Sequence, residues 1–277
     1  MLIRCLLTAA LFTQFAHAAD FERTVTVANM PDLYVSDGSG HIHVFTGSDS
    51  EIHVRAHVYA RKHIGGGDVD ERISRIERNP PIRQSGNELR IGDVPAEDRR
   101  LYNDISIDYE ISAPRTTALN LRSGSGDINV DGVGRFLKAD TGSGSVRASG
   151  IAGSADLHTG SGDIELREQA QAEVRAVTGS GSIKIEGLDG KLTARTGSGD
   201  IEASGQVLDA THLQSGSGSI RLHPGAEAHY TVDASTGSGS IRVAGESNSD
   251  HHHVSKVVNG GGPVIDARTG SGDIEVD

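Results

Sequence analysis

Tryptophan is missing from the 277 residues, tyrosine and phenylalanine number five each, and there is a single cysteine. A core built around large rings is excluded, so the interior must be filled by aliphatic side chains in thin layers. One thiol cannot make a disulfide framework or a cysteine metal site. Basic residues are also scarce, 26 Lys and Arg against 38 Asp and Glu, for a formal charge of −12. A protein that tracks a phosphate backbone needs clustered Lys and Arg to release counterions, which argues against nucleic acid as a partner.

The longest apolar run is at the N-terminus, where Arg4 precedes Cys5 to Phe12 and then Ala16-His17-Ala18. A charge, a short apolar stretch and small residues at positions −3 and −1 are what a signal peptidase reads, so residues 1–18 are expected to be a signal peptide cleaved after Ala18. Removal takes away Arg4 and the only cysteine and leaves a net charge of −13. Nothing later is apolar enough to span a bilayer, so the mature chain is expected to be periplasmic or extracellular without a transmembrane segment.

Glycine is abundant, and 28 of its 36 copies lie after residue 123. From there one phrase recurs eight times: SGSGDI, TGSGSV, TGSGDI, TGSGSI, TGSGDI, SGSGSI, TGSGSI and TGSGDI. Its glycine pairs are Gly124 and Gly126, Gly142 and Gly144, Gly160 and Gly162, Gly179 and Gly181, Gly197 and Gly199, Gly216 and Gly218, Gly237 and Gly239, and Gly270 and Gly272. First glycines are spaced by 18, 18, 19, 18, 19, 21 and 33 residues. A period near 18 signals a solenoid of stacked coils, and the glycine pairs read as tight corners that need φ > 0.

Each corner is followed by an alternating strand such as Asp163-Ile164-Glu165-Leu166 and preceded by another such as Val174-Arg175-Ala176. A period of two excludes helix and points the aliphatic residues inward, with Val133, Ile151 and Leu188 filling the next inward site. The expected fold is all-β, a single-stranded parallel β-helix of about 18 residues per coil. Right-handedness follows from the general crossover preference.

Outward positions flanking the first inward aliphatic read Asp127/Asn129, Ser145/Arg147, Asp163/Glu165, Ser182/Lys184, Asp200/Glu202, Ser219/Arg221, Ser240/Arg242 and Asp273/Glu275. Acidic and basic rungs alternate. Unbroken carboxylates stacked at about 4.8 Å would repel by roughly 0.9 kcal/mol per pair even at bulk-water dielectric, so the alternation acts as a register device. Arg221 and Arg242 break the alternation, just before the 33-residue spacing. Glu246 or Asp250 is expected to compensate, and 246–262 is read as a loop leaving the shaft, in preference to a degenerate coil.

The first half is less regular. Segments 33–36, 41–45 and 51–60 alternate, and Ser36 to Val44 is a diverged corner and strand. Residues 61–81 read as an excursion with a helical turn around Val69 to Arg78, and strands resume at 82–91 and 105–111. The domain reading is thus 1–18 signal peptide, 19–113 irregular N-terminal β region and solenoid start, and 114–277 regular solenoid.

The TGSGDI and TGSGSI phrases, the strands ending in Ala-x-Thr before them, and the strand from Ile105 to Pro114 resemble the bacterial "putative adhesin" domain family of unknown function. That family is similar to autotransporter adhesin head domains. Over roughly residues 30–277 the resemblance implies a β-helix at the cell envelope, and it carries no catalytic motif.

Calcium nonapeptide repeats fail because Asp follows the second Gly directly, the period is twice nine and half the copies carry Ser. No copy has phosphate-loop spacing. His41 and His43 share a strand face near His53, and His251 to His253 fall in the irregular segment, but a metal site needs three or four convergent ligands, so none is expected. Asp127, Asp163, Asp200 and Asp273 repeat rather than form the one asymmetric constellation that catalysis needs. The leading expectation is a secreted non-enzymatic scaffold or adhesin-like protein, without cofactor or metal, facing an envelope or extracellular protein or glycan. A carbohydrate-active lyase or hydrolase is the runner-up, and an envelope-stress signalling module the third reading.

Overall fold

The computed structural model describes residues 18–60, 67–168, 171–225, 227–248 and 252–277. From residue 118 onward each coil has a leading strand that ends on the Ser or Thr before the corner and a trailing strand that starts on the aliphatic residue after it. Leading strands include Ala118–Ser123, Phe136–Thr141 and Ala155–Thr159; trailing strands include Ile128–Asp131, Val146–Ile151 and Ile164–Glu168. Like strands pair in parallel with inward residues aligned, as in Leu121↔Ala139↔Leu157 and Ile128↔Val146↔Ile164. The two sheets enclose one aliphatic core in which Ile128, Ile164, Leu192 and Ile220 are fully buried, and Val133, Ile151 and Leu188 join it. The all-β solenoid expected from the period is the observed architecture.

The stacking order differs from the chain order at both ends. The coil Asp32–Asp37/Ile42–Thr46 lies between Ala118–Ser123/Ile128–Asp131 and a coil formed later in the chain by Glu88–Ile91 and Ile105–Ala113. At the other end, Thr211–Ser215 and Ile220–His223 pair not with the next strands in sequence but with Val264–Thr269 and Ile274–Val276. The coil Tyr230–Thr236/Ile241–Val243 stacks beyond those. Ten coils result among the described residues.

Antiparallel strands close the ends. Ile105–Ala113 pairs with Glu51–Ala60, which pairs with Ala18–Thr26. A helix over Gly67–Arg78 packs Ile73 and Ile76 into that end of the core, with Asp68 and Asp70 in its first turn and Arg75 and Arg78 in its last, as the helix dipole favours. The expected helical turn at 69–78 lies inside it. At the far end Glu246–Asn248 pairs with Ile241–Val243, and His253–Val258 with Tyr230–Thr236. Residues 246–262, expected to be a loop leaving the shaft, therefore supply two antiparallel closing strands, because Val254 and Val258 have core to cover. Such strands blunt an edge that would otherwise invite further pairing.

Candidate functional site

The corners are built differently from their sequence reading. Of the sixteen repeat glycines only Gly239 and Gly272 have φ between +20° and +160°. The remaining fourteen, from Gly124 and Gly126 to Gly237 and Gly270, are required by proximity instead. A Cβ on Gly142 would lie 2.3 Å from the carbonyl oxygen of Gly124, and one on Gly181 would lie 2.0 Å from that of Gly162. Coils stack backbone on backbone at these points, and only glycine leaves the space.

The buried Ser or Thr that opens each phrase makes a second column, whose role sequence reasoning missed. Thr159 Oγ1 donates to Gly144 O of the previous coil at 2.7 Å and accepts the Gly162 N–H of its own corner at 3.1 Å. Thr141, Thr178, Thr196 and Ser215 repeat both bonds. The signal was present in the sequence, since the first letter of the phrase is always a hydroxyl residue.

Outside the core, the trailing sheet carries a charge grid. In its first column an Asp carboxylate accepts the backbone N–H of the next coil's Ser, and that Ser hydroxyl accepts the N–H of the following Asp. Ser145, Ser182, Ser219 and Ser240 donate to Asp127, Asp163, Asp200 and Asp273 at 2.8 Å. Asp163, Asp200 and Asp273 donate to Ser145, Ser182 and Ser219 at 3.3 Å. The column extends into the N-terminal coils, where His41 N–H donates to Asp108 and the Asp127 N–H reaches His41 Nδ1. These bonds hold Asp273 below the usual carboxylate range, chiefly through Ser240 N–H and then its hydroxyl.

The second column is in register across the whole sheet: Glu22, Arg55, Glu110, His43, Asn129, Arg147, Glu165, Lys184, Glu202, Arg221, Glu275 and Arg242. The break expected at Arg221 and Arg242 does not exist in space, because the inserted coil places Glu275 between them, 3.8 Å from Arg221 and 2.9 Å from Arg242. Glu246, expected to compensate, instead pairs with Lys256 at 3.0 Å, and Asp250 lies outside the described residues. Arg147 sits 4.0 Å from Asp127 and 3.8 Å from Glu165. Lys184 turns along its own strand to Glu186 at 2.9 Å rather than across to Glu165 or Glu202.

The histidines divide among separate partners. His43 meets Asp131 at 2.9 Å, His53 meets Thr24 at 3.0 Å and His253 lies 3.5 Å from Asp233, while His251 is outside the described residues. Among the described residues no three His, Cys, Asp or Glu converge where they could hold a metal ion. One carboxylate departs from the pattern. Asp37 replaces the corner hydroxyl in the 32–46 coil, its Oδ2 accepts the N–H groups of Ser39 and Gly40, and burial raises its pKa above the usual range.

Two-stranded coils, glycine corners without side-chain room and an outer grid of alternating charge together define a β-solenoid with a periodic polar face. The chain belongs to the Toastrack DUF4097 family, whose model matches residues 32–277. Among solved structures it is similar to a "putative adhesin" from Bacteroides fragilis, at 14% identity and TM-score 0.50, covering 94% of this chain and 97% of that one. A "putative cell adhesion protein" from Clostridium sporogenes overlaps at 12% identity and TM-score 0.27, covering 93% and 99%. The first likeness is one of fold. No curated protein matches the chain. No described helix is long and apolar enough to cross a membrane.

Proposed function

We propose that this chain is an exported, non-enzymatic scaffold whose outer charge grid is presented to an envelope or extracellular partner, in the manner of an adhesin. The observation that carries the reading is the use made of the grid carboxylates. Asp127, Asp163, Asp200 and Asp273 each spend an oxygen on the next coil's backbone, and they recur every second coil, so the face is a repetitive surface for contact. Export rests on Arg4, the apolar run from Cys5 to Phe12 and Ala16-His17-Ala18.

The test is capture from envelope extracts and immobilised glycans by residues 19–277, comparing wild type with Arg147→Gln/Lys184→Gln/Arg221→Gln. Retention that weakens in the triple variant without loss of melting temperature supports the grid as the contact face. Glycan turnover abolished by Asp163→Asn would replace this reading with the enzymatic one. Mass spectrometry of the chain recovered from the periplasm should show a start at Ala19, and a cytoplasmic, uncleaved chain would remove the exported part.

A further inference from the structure

We infer that a hollow on the outer face of the leading sheet, across the core from the charge grid, binds one neutral pyranose ring through its hydroxyl groups. The hollow measures about 260 Å³ and is lined by Tyr34, Ser36, Arg90, Asp93, Asn120 and Arg122. Non-sequential stacking assembles it. The 32–37 strand forms the middle rung, with 88–91 on one side and 118–123 on the other. Pairing along 88–91 ends at Ile91↔Val35, and the next residue is Gly92, with φ of +75° and a backbone too close to the Ser36 carbonyl oxygen for any Cβ. No Gly92 side chain therefore covers Ser36 from that side, and the chain continues to Asp93 at the rim of the hollow.

The polar groups here are not spent on one another as they are on the grid. Among the described residues, none makes a hydrogen bond to the hydroxyls of Tyr34 and Ser36 or to the side-chain amide of Asn120. The Arg90 guanidinium lies 4.4 Å from the Tyr34 ring centroid, which holds both side chains in place before any ligand arrives. Glu88 engages Arg90 at Nε, 2.5 Å away, and Asp140 lies 3.8 Å from Arg122 Nε, so the terminal nitrogens of both forks are left as donors. Charge decides the ligand class. Both guanidiniums already have an acid beside them and Asp93 adds a third, so an anion gains little, while a cation would meet Arg90 and Arg122. A neutral polyol uses the whole set, because each of its hydroxyls both donates and accepts: the arginines and the Asn120 amide donate, Asp93 accepts, and Tyr34 and Ser36 do either. The volume is below that of a drug-sized pocket and suits a single sugar ring.

Titration of methyl glucoside, methyl galactoside and methyl mannoside into the isotope-labelled chain tests this, read by NMR at the backbone N–H groups of 34–36 and 120–122. At least one glycoside should shift both sets with a Kd on the order of 1 mM, the strength that ordinary ligand efficiency gives a molecule of this size. Asn120→Ala and Arg122→Ala should each weaken binding about tenfold, and should melt as wild type because both side chains are at the surface. Arg147→Gln/Lys184→Gln/Arg221→Gln should bind the glycoside as wild type does, so this site and the grid succeed or fail separately. Absence of shifts from all three glycosides at concentrations about fiftyfold above that Kd overturns the proposal. Wild-type affinity in both pocket variants also overturns it, because the sugar then sits elsewhere. Tighter binding of methyl glucuronide or inorganic phosphate does the same, since the hollow would then be an anion site.

Discussion

At the scale of the residue, steric room decides where glycine is required. Gly181 has a neighbouring carbonyl oxygen where a Cβ would go, whereas Gly38 has nothing within 4 Å. Gly181→Ala should cost about 2–3 kcal/mol as a backbone overpacking and Gly38→Ala less than about 0.5, measured by urea unfolding. Equal midpoints would remove close approach as the reason for the phrase. Thr159→Val should cost about 1–3 kcal/mol, because the Gly144 carbonyl and the Gly162 N–H both lose a buried partner, while Thr159→Ser should retain most of the stability. Two aspartates should respond to pH with opposite sign. Asp273 is held below the usual Asp range, so its contribution is complete at neutral pH and is lost as pH falls through its lowered value. Asp37 is raised by burial, so its charge costs stability at neutral pH, and the cost disappears as pH falls through the raised value. Asp37→Asn keeps one oxygen for the Ser39 and Gly40 N–H groups and should raise the melting temperature at pH 7 but not at pH 3. A gain of the same size at both pH values would count against the buried charge.

At the scale of the element, alternation along the trailing sheet sets register. Arg147→Glu would place an acid between Asp127 and Glu165, and since all three side chains are substantially exposed the loss should be only about 0.5–1 kcal/mol, larger at low salt than at high. Lys184→Glu should act chiefly through Glu186, which Lys184 touches, and pairing it with Glu186→Lys should recover only part of the loss, because Glu186 also pairs with Arg167 at 2.9 Å. A double-mutant cycle reads this coupling. The corners, the inward aliphatics and the stacking of consecutive middle coils were all legible in the sequence, because a period of two inside a period of 18 leaves few other folds. The closing strands were not. Ser247 to Asn248 and His253 to Val258 carry the polar and glycine-flanked composition of a loop, and only the uncovered core beneath Tyr230 and Val232 makes strands of them. The reason for the glycines was also hidden, since a conformational need and a lack of space select the same residue.

At the scale of the whole molecule, the order of the coils is the property that chain order misrepresents, and the grid records it. Sequence order places two basic rungs, Arg221 and Arg242, in succession; spatial order inserts Glu275 and restores the alternation. The His41/His43 rung does the same between Asp108/Glu110 and Asp127/Asn129 at the other end. A break in an otherwise strict alternation is thus a marker of non-sequential stacking. Hydrogen exchange separates the two orders, because protection follows the number of paired edges and the depth of burial. Coils stacked in chain order would leave 264–276 at the end of the shaft, with one free edge and amides that exchange with those of the closing strands. In the observed order Val264–Thr269 and Ile274–Val276 are paired on both sides, and Ile265, Ala267, Ile274 and Val276 are buried. Peptides from 264–276 should therefore exchange as slowly as those from 211–223, and those from 253–258 and 18–26, each at an edge, should exchange first. Fast exchange across 264–276 with slow exchange across 230–243 would also contradict the inserted order, because the outer coil depends on the inner one for its parallel partner.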